Sequence, residues 1–445
     1  MVARSGDCDV VVVGAGIGGL TAAALLASRG LSVVVFERRE APGGCCSVFS
    51  QDGYQFDLAS SVFYGFGQEG FNANRRVLDE LGVHLDTVVM DPIYELFLGD
   101  ERFRVFQNLE QHLEALDEWF PISGPALKTF YEKIEVLYKH SLEVGFLPVA
   151  DASLFNLATM AFGNPSLLFK YLPRLKATLW DYLGPMLPSS HGPKSQKEVR
   201  RLKGFMDIDM AFGTCASTDE VPLLLAVPLL MDRHRGGVVY PKGGSASLPA
   251  ALEHGLKKHG GTIHYHAEVE RILTNSGRVE GVRTKGGEVV RSARVVTNVN
   301  IWDTFQKLLD SYEVNTKRRK EVQSLEPSFS VFTTCVGVDA KLVQEGTHAH
   351  SVVIPQPDGG VKDAAIVTIP SLIDPFLAPE GRHAVTITTV DDYKEWVPAG
   401  FVNARENPDL SAQRTARALT RAESLLPGIA EAGEVIHTAS PATWE

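Results

Sequence analysis

The chain is 445 residues long, 44% of them hydrophobic, and has a formal net charge of −11. That length and hydrophobic content allow a large core and predict two domains, while the excess of acidic residues argues against nucleic acid as a partner through overall charge. The five cysteines show no paired metal-ligand spacing, so we predict no metal site and a reducing compartment.

The first predicted element is a strand that leads into a glycine-rich turn. Residues 10–13 are four valines, and the turn at 14–19 precedes an alanine-rich helix. In this arrangement Gly14 allows a tight turn, Gly16 lets the backbone approach a pyrophosphate, and Gly19 lets the helix pack on the strand. The order of elements predicts a dinucleotide-binding βαβ unit.

A second apolar strand at 33–36 ends in an acidic residue, Glu37, which follows Gly14 by 23 residues. We expect its carboxylate to accept hydrogen bonds from both ribose hydroxyls and to disfavour NADP, whose 2′-phosphate would face it. Arg38 and the pair Gly43-Gly44 come next, as in the extended motif of two-domain flavoproteins, where paired glycines let the chain pass close to the diphosphate. We therefore predict FAD rather than NAD.

The next segment is predicted to be mostly helical. A short strand at 53–57 and an apolar loop at 58–67 precede a helical pattern over 109–203. Its portion 146–180 is rich in Leu, Phe and Met with basic residues interspersed, which suits a membrane surface or, equally, a buried helical layer with a solvated basic edge. The longest clean apolar run, 221–231, is far shorter than the ~20 residues that span a membrane, so we predict no transmembrane segment.

Strands and glycine turns return in the second half. The pattern predicts a helix at 248–259, strands at 262–266, 269–274, 278–284 and 289–298, a later strand at 384–389 and a helix at 412–426. The alternation implies a discontinuous FAD-binding domain, 1–85 and 230–305, with a substrate and membrane-facing domain, 86–229 and 306–445, threaded through it.

Several stretches resemble the carotenoid and retinoid oxidoreductase family of flavoproteins, to which phytoene desaturases belong, and most closely its cis-trans isomerases. The resemblance spans nearly the whole chain. The matching stretches are Pro42-Gly43-Gly44, Asp52-Gly53-Tyr54, Ser60-Ser61-Val62, Asp232-Arg233-His234, Tyr240-Pro241-Lys242-Gly243-Gly244, Trp302-Asp303-Thr304-Phe305 and Leu377-Ala378-Pro379-Glu380-Gly381.

The resemblance implies a fold and a set of cofactor contacts. The fold class would be α/β, an FAD-binding Rossmann-type domain of the two-dinucleotide-binding, amine-oxidase-like kind with a threaded α+β substrate domain. The backbone of Val269 would meet the adenine. The cofactor-binding residues carried over are Gly14, Gly16, Gly19, Glu37, Arg38, Gly43, Gly44, Ser61 and Val269.

The resemblance also implies a substrate and a reaction. The substrate would be an apolar polyene, a cis-configured carotene taken from a peripheral membrane surface, in a plastid or a photosynthetic bacterial membrane. Reduced FAD would act without net redox change, because a conjugated double bond rotates only after its π order is lowered. Asp232, Arg233 and His234 are candidate proton donors or acceptors, with the bracing of strand ends as the alternative interpretation.

Two other functions stay open. Retinol saturase or carotene desaturase activity would use the same fold with a different flow of electrons, and non-catalytic prenyl-binding or lipid-binding proteins share the architecture.

The chain departs from the family pattern at Ala59, where glycine is favoured, and at Cys45-Cys46, where small serines are usual. It stops about where relatives enter their last FAD-contacting segment, so we expect that segment to be absent. Only nine mostly polar residues precede Val10, which predicts no targeting peptide.

Overall fold

The computed structural model describes residues 7–144, 174, 176–188, 192–214, 216–310, 314–326, 330–356, 359–396 and 407–443. Most of the apolar and basic stretch 146–180 lies outside the described residues. Among the helices of these ranges, none combines the length and the apolar character that crossing a membrane requires.

The strands of the described residues form five sheets. Their bounds are β1 Val10–Val13, β2 Val33–Phe36, β3 Val48–Gln51, β4 Tyr54–Asp57, β5 Phe63–Tyr64, β6 Thr87–Val89, β7 Tyr94–Leu98, β8 Glu101–Val105, β9 Val238–Pro241, β10 Thr262–His264, β11 Val269–Asn275, β12 Arg278–Thr284, β13 Val289–Arg291, β14 Val295–Thr297, β15 Ser330–Asp339, β16 His350–Ile354, β17 Ala365–Thr368, β18 Arg382–Asp391 and β19 Glu434–Ala439.

The α-helices of the described residues are numbered in chain order. Their bounds are α1 Ile17–Ser28, α2 Ala73–Leu81, α3 Leu109–Trp119, α4 Gly124–Val144, α5 Leu179–Leu183, α6 Pro193–Thr214, α7 Leu223–Arg235, α8 Ser247–Lys258, α9 Ile301–Asp303, α10 Thr316–Ser324, α11 Tyr393–Trp396, α12 Pro408–Ala422 and α13 Ile429–Ala432.

A four-stranded parallel sheet, in the order β10-β2-β1-β14, forms the centre of the first half of the fold. Helices α1, α2 and α8 cover one face, and the antiparallel sheet β11-β12-β13 covers the other. Because both faces are buried, β1 and β2 are unbroken apolar runs rather than alternating ones. The predicted α/β dinucleotide-binding unit is confirmed.

A seven-stranded sheet, in the order β19-β15-β18-β17-β16-β7-β8, forms the second half. Its strands pair antiparallel except β16 with β7, which run parallel. Helices α12 and α13 pack on one face against Val336, Val385 and Ile387, while helices α3 to α7 build the largest apolar cluster beside β7 and β8. This sheet and its helices make up the α+β part of the predicted fold class.

Several element bounds differ from the sequence prediction. The predicted strand 289–298 is divided into β13 and β14. Helix α12 begins at Pro408, earlier than predicted, because the side chain of Asn407 accepts a hydrogen bond from the Leu410 amide and proline fits the first helical turn. The apolar run 221–231 lies largely within α7. The domain boundaries themselves stay a prediction.

Candidate cofactor and substrate sites

A cleft of about 710 Å³ opens where β1 and β2 end. The carboxyl ends of parallel strands in an open α/β sheet are the usual place for a ligand. Its walls come from the loops after β1 and β2 and from the segment that follows β14. The lining residues include 13–14, 16–17, 36–39, 43–46, 267–270 and 298–300.

The glycine turn leaves the start of α1 accessible to a ligand. Helix α1 begins after Gly16 with no side chain capping its first amides, so these donors remain for an anion such as a diphosphate. Gly14 has φ +92°, and a Cβ on Gly19 would lie 2.1 Å from the Gly14 carbonyl oxygen. Only glycine therefore lets α1 begin this close to β1.

The glycine pair after β2 lies against the same turn. The Gly43 amide donates to the Ala15 carbonyl oxygen at 2.8 Å, and Gly16 forms a parallel bridge with Gly43. Both Gly43, φ +122°, and Gly44, φ +61°, have backbone conformations that favour glycine. The two loops together line one end of the cleft.

Glu37 lies in the cleft and is 7% exposed. Its carboxylate accepts hydrogen bonds from the Ala15 amide at 2.7 Å and from the Arg39 amide at 2.9 Å. A carboxylate has about four acceptor positions, so these two bonds leave capacity for ribose hydroxyls. Arg38 and Val269 also line the cleft.

Asn298 is a cleft residue that the sequence analysis missed. It follows β14, and its side-chain Oδ1 and Nδ2 lie 2.6 and 2.9 Å from where a Cβ on Gly16 and on Gly18 would stand. The signal that could have identified it is a polar residue directly after a strand of the parallel sheet, because ligands bind at the carboxyl ends of such strands. The glycines at 16 and 18 thus make room for a protein side chain as well as for a ligand.

A smaller cavity of about 260 Å³ adjoins the cleft, and Ser60 lines both. Ser61 lines this cavity rather than the cleft. One wall is the loop after β4, and the other is the face of β16, β17 and β18 opposite to α12. Residues on this second wall are His350, Ser351, Val352, Ile366, Thr368, Thr386 and Thr388.

A buried ion pair lies at one side of the cavity. Arg233 Nη1 lies 2.6 Å from Oδ1 of Asp209, and both side chains are less than 5% exposed. The Tyr94 hydroxyl donates to Asp209 at 2.5 Å. Burial, reinforced by the Asp209 charge, raises the pKa of Tyr94 well above its ordinary value, so Tyr94 stays a neutral phenol. Tyr94 and Asp209 line the cavity.

The triplet Asp232, Arg233 and His234 lies in the last turn of α7 and is not among the described residues that line the cleft or the cavity. Asp232 accepts hydrogen bonds from the Phe71 amide at 2.9 Å and from the Tyr138 hydroxyl at 2.5 Å. These contacts hold the end of α7 against the segment at Phe71 and against α4.

His234 lies 3.0 Å through Nδ1 from the carbonyl oxygen of Gln107. Burial and the Arg233 charge lower the pKa of His234 to about 3, so the ring is neutral at ordinary pH. Arg233 is not among the described residues that line the cavity; it contacts Asp209, which does line it. A role of the triplet in proton transfer stays a prediction.

Comparison with known families and folds identifies a flavoprotein architecture. The family described as flavin containing amine oxidoreductase matches residues 17–438. An oxidoreductase from Methanosarcina mazei is 19% identical with a TM-score of 0.63, covering 98% of this chain and 89% of that one. A Rab GDI from Plasmodium falciparum is 12% identical with a TM-score of 0.52, covering 98% and 88%. The predicted amine-oxidase-like fold class is confirmed.

Comparison with curated proteins confirms the predicted resemblance. Prolycopene isomerase 1 of an Oncidium hybrid, a chloroplastic protein, is 29% identical over 99% of this chain and 74% of its own. The zeta-carotene-forming phytoene desaturase of Myxococcus xanthus is 29% identical over 85% and 71%. All-trans-retinol 13,14-reductase of Rattus norvegicus is 26% identical over 76% and 56%.

Proposed function

The chain belongs to the flavin containing amine oxidoreductase family, and on that premise we propose that it is an FAD-dependent carotenoid isomerase. It converts cis-configured, prolycopene-like carotenes to the all-trans form, with reduced flavin and without net redox change. The observation that carries the proposal is the junction at Ser60 between the nucleotide cleft and the cavity below the seven-stranded sheet.

The cleft fits the FAD that the family implies. The uncapped start of α1 and the glycine pair Gly43-Gly44 would hold the diphosphate, because they offer backbone amides and no side chains. Glu37 would hold the ribose, and the backbone at Val269 would hold the adenine. Arg38 and Asn298 would complete the walls.

The bound FAD would supply a reversible exchange of a hydride or electrons with the polyene, which makes one double bond single-like. The chain's own part is to position that bond and to exclude water. Burial lowers the pKa of His350 to about 3, so this cavity side chain adds no positive charge near the substrate. The Arg233 charge is balanced by Asp209, and Tyr94 keeps its proton.

The isomerase is preferred to its alternatives because of the similarity to a prolycopene isomerase along 99% of the chain. Carotene desaturase or retinol saturase activity is the second candidate, favoured by the similarity to the Myxococcus and rat proteins. A non-catalytic lipid-binding protein is the third, since a Rab GDI shares the fold. The glycine turn and Glu37 argue against a non-catalytic lipid-binding protein, because a protein that binds no nucleotide has no physical need for these residues.

The test is an anaerobic absorption spectrum followed by chromatography of a cis-carotene mixture incubated with the chain after flavin reduction. We expect a bound flavin spectrum and conversion of cis to trans isomers with the number of double bonds unchanged. A gain or loss of double bonds would move the assignment to desaturase or saturase. A chain that takes up no flavin would contradict the proposal.

We also propose that the chain acts at a peripheral membrane surface, in a plastid, because carotenes partition into membranes and the similar Oncidium protein is chloroplastic. The measurement is co-sedimentation with liposomes at low ionic strength, where attraction between charges is least screened. A chain that stays in the supernatant would refute membrane attachment.

A further inference from the structure

We propose that the cavity at Ser60 binds an uncharged oxygen group, a hydroxyl or carbonyl, at one end of the polyene. The inference rests on the proposed function and, within the carotenoids, extends its substrate from hydrocarbon carotenes to polyenes with an oxygen group at one end.

Polar side chains stand among the apolar surface that lines the cavity. Eleven of its seventeen lining residues have polar side chains. On the sheet wall, Thr368 pairs with Thr386, and Ile366 pairs with Thr388. Residues directly opposite each other on neighbouring strands point to the same side of the sheet, so the side chains of Thr368 and Thr386 share the cavity side. A tunnel for an unsubstituted hydrocarbon would carry apolar side chains at these positions.

Buried hydrogen-bonding atoms in this wall lack partners. Thr386 is 3% exposed, and its Oγ1 meets no hydrogen-bond partner in the described part of the chain. His350 is 2% exposed and neutral. A neutral imidazole has one donor and one acceptor nitrogen, and the nearby Ser61 backbone engages at most one of them. Buried polar groups normally have partners, so these atoms indicate a ligand that provides them.

The charges of the cavity disfavour an anionic ligand group. Asp209 is paired with Arg233 and accepts from Tyr94, so its negative charge is already balanced. Asp57 is buried, and it accepts from the Tyr240 hydroxyl at 2.7 Å and from the Ser245 amide at 2.8 Å. An anionic ligand group would find no unpaired positive charge among these residues, whereas a hydroxyl or carbonyl needs none.

The volume limits how much of the ligand enters. The cavity of about 260 Å³ equals the share of roughly nine water molecules in the liquid. That space accepts an end group and not a whole polyene. The rest of the polyene would extend past Ser60, where the cavity meets the cleft.

The test compares two polyenes that differ by one hydroxyl group, β-carotene and β-cryptoxanthin. Binding to the FAD-loaded chain is measured under anaerobic conditions from the quenching of tryptophan fluorescence. We expect the hydroxylated polyene to bind roughly three- to tenfold more tightly, the effect of one neutral hydrogen bond. In Thr386→Val, which keeps the shape but removes the hydroxyl, we expect that preference to fall towards one.

Thr334→Val is the matched control. Thr334 Oγ1 is also buried without a partner in the described residues, but Thr334 pairs with Ile387, which packs towards α12 on the opposite face of the sheet. We expect this variant to keep the wild-type preference. Thr368→Val is the second test variant if Thr386→Val does not fold, as judged by thermal melting, and the same fall in preference is expected.

Equal binding of the two polyenes by the wild-type chain would overturn the inference. So would a Thr386→Val chain that keeps the preference. A changed flavin spectrum in that chain would assign the cavity to the flavin ring instead. The flavin spectrum of the wild-type chain reports separately on the proposed function. The absence of that spectrum would refute FAD dependence, whereas equal binding of the two polyenes by a wild-type chain with a normal flavin spectrum would refute only the substrate assignment.

Discussion

The nucleotide cleft and the polar cavity meet at Ser60 but are built in different ways. The end of the cleft at the glycine turn presents backbone: glycines with positive φ, an uncapped helix start and amides held by Glu37. The cavity is formed by side chains from segments far apart in sequence, with Asp209 and Arg233 buried behind it. An added methyl group should therefore disrupt the cleft, and a removed charge or hydroxyl should disrupt the cavity.

The largest effect is expected from breaking the ion pair behind the cavity. Asp209→Asn leaves the buried Arg233 charge uncompensated, which should lower the free energy of unfolding by about 3–5 kcal/mol. Urea unfolding measures it. The control is Glu80→Gln, because its partner Arg29 is 63% exposed and such pairs contribute at most about 1 kcal/mol. Equal losses in the two variants would contradict the buried pair's importance.

Next comes a methyl group added in the cleft. Gly19→Ala brings a Cβ to 2.1 Å from the Gly14 carbonyl oxygen, so we expect a loss of about 3 kcal/mol in stability and weak FAD binding. Gly204→Ala in α6 is the control. Nothing lies within 4 Å of its added Cβ, and alanine favours a helix, so this variant should gain about 0.5–1 kcal/mol. A stable Gly19→Ala chain with normal FAD affinity would contradict the prediction, because it would show that the turn rearranges to accept the added methyl group.

Glu37→Gln tests the carboxylate that lies buried in the cleft. The amide is a weaker acceptor for the Ala15 and Arg39 amides and for a ribose, so we expect the Kd of FAD to rise on the order of tenfold or more, equivalent to about 2 kcal/mol. Equilibrium dialysis gives the Kd, with Glu80→Gln again as the control. An unchanged Kd would remove Glu37 from the binding site.

Acid is expected to act gradually, with a small loss for each histidine over each part of a pH unit. Burial lowers the pKa of His350 and of His234 to about 3, below the ordinary 6.5. The unfolded chain therefore binds protons that the folded chain does not, and stability should fall as pH falls from about 6.5 towards 3, by about 1.4 kcal/mol per pH unit for each histidine.

Urea unfolding at a series of pH values measures that slope. His350→Gln should remove one histidine's share of it while leaving FAD binding intact. A slope that is the same with and without His350 would contradict the lowered pKa.

The difference between the cleft and the cavity also explains how much of each could be predicted from the sequence. The turn at 14–19, the strand 33–36 and Glu37 are contiguous, and their spacing fixes a βαβ unit, which the structure confirms. Asn298 joins the same cleft from 261 residues beyond Glu37, so no local spacing reveals it. Its role depends on β14 pairing beside β1, which is a tertiary event.

The cavity was less accessible to sequence reasoning. The strand at 384–389 was predicted and lies within β18, but threonines are ordinary in strands, so nothing indicated that Thr386 would line a cavity. The partner of Arg233 also comes from another helix, α6, which no pattern linked to α7. The roles of such polar side chains follow no pattern in the sequence. They can be assigned only once the folded structure shows which residues surround them.

The pairing of β1 with β14 has a consequence for synthesis of the chain. Val11 pairs with Val295, and at about 5–20 residues per second a ribosome needs roughly 15–60 s to make the segment between them. During that time the newly made β1 has an open hydrogen-bonding edge, the kind of edge that other chains can join. Chaperone protection of the nascent N-terminal half would therefore matter most before residue 297 emerges.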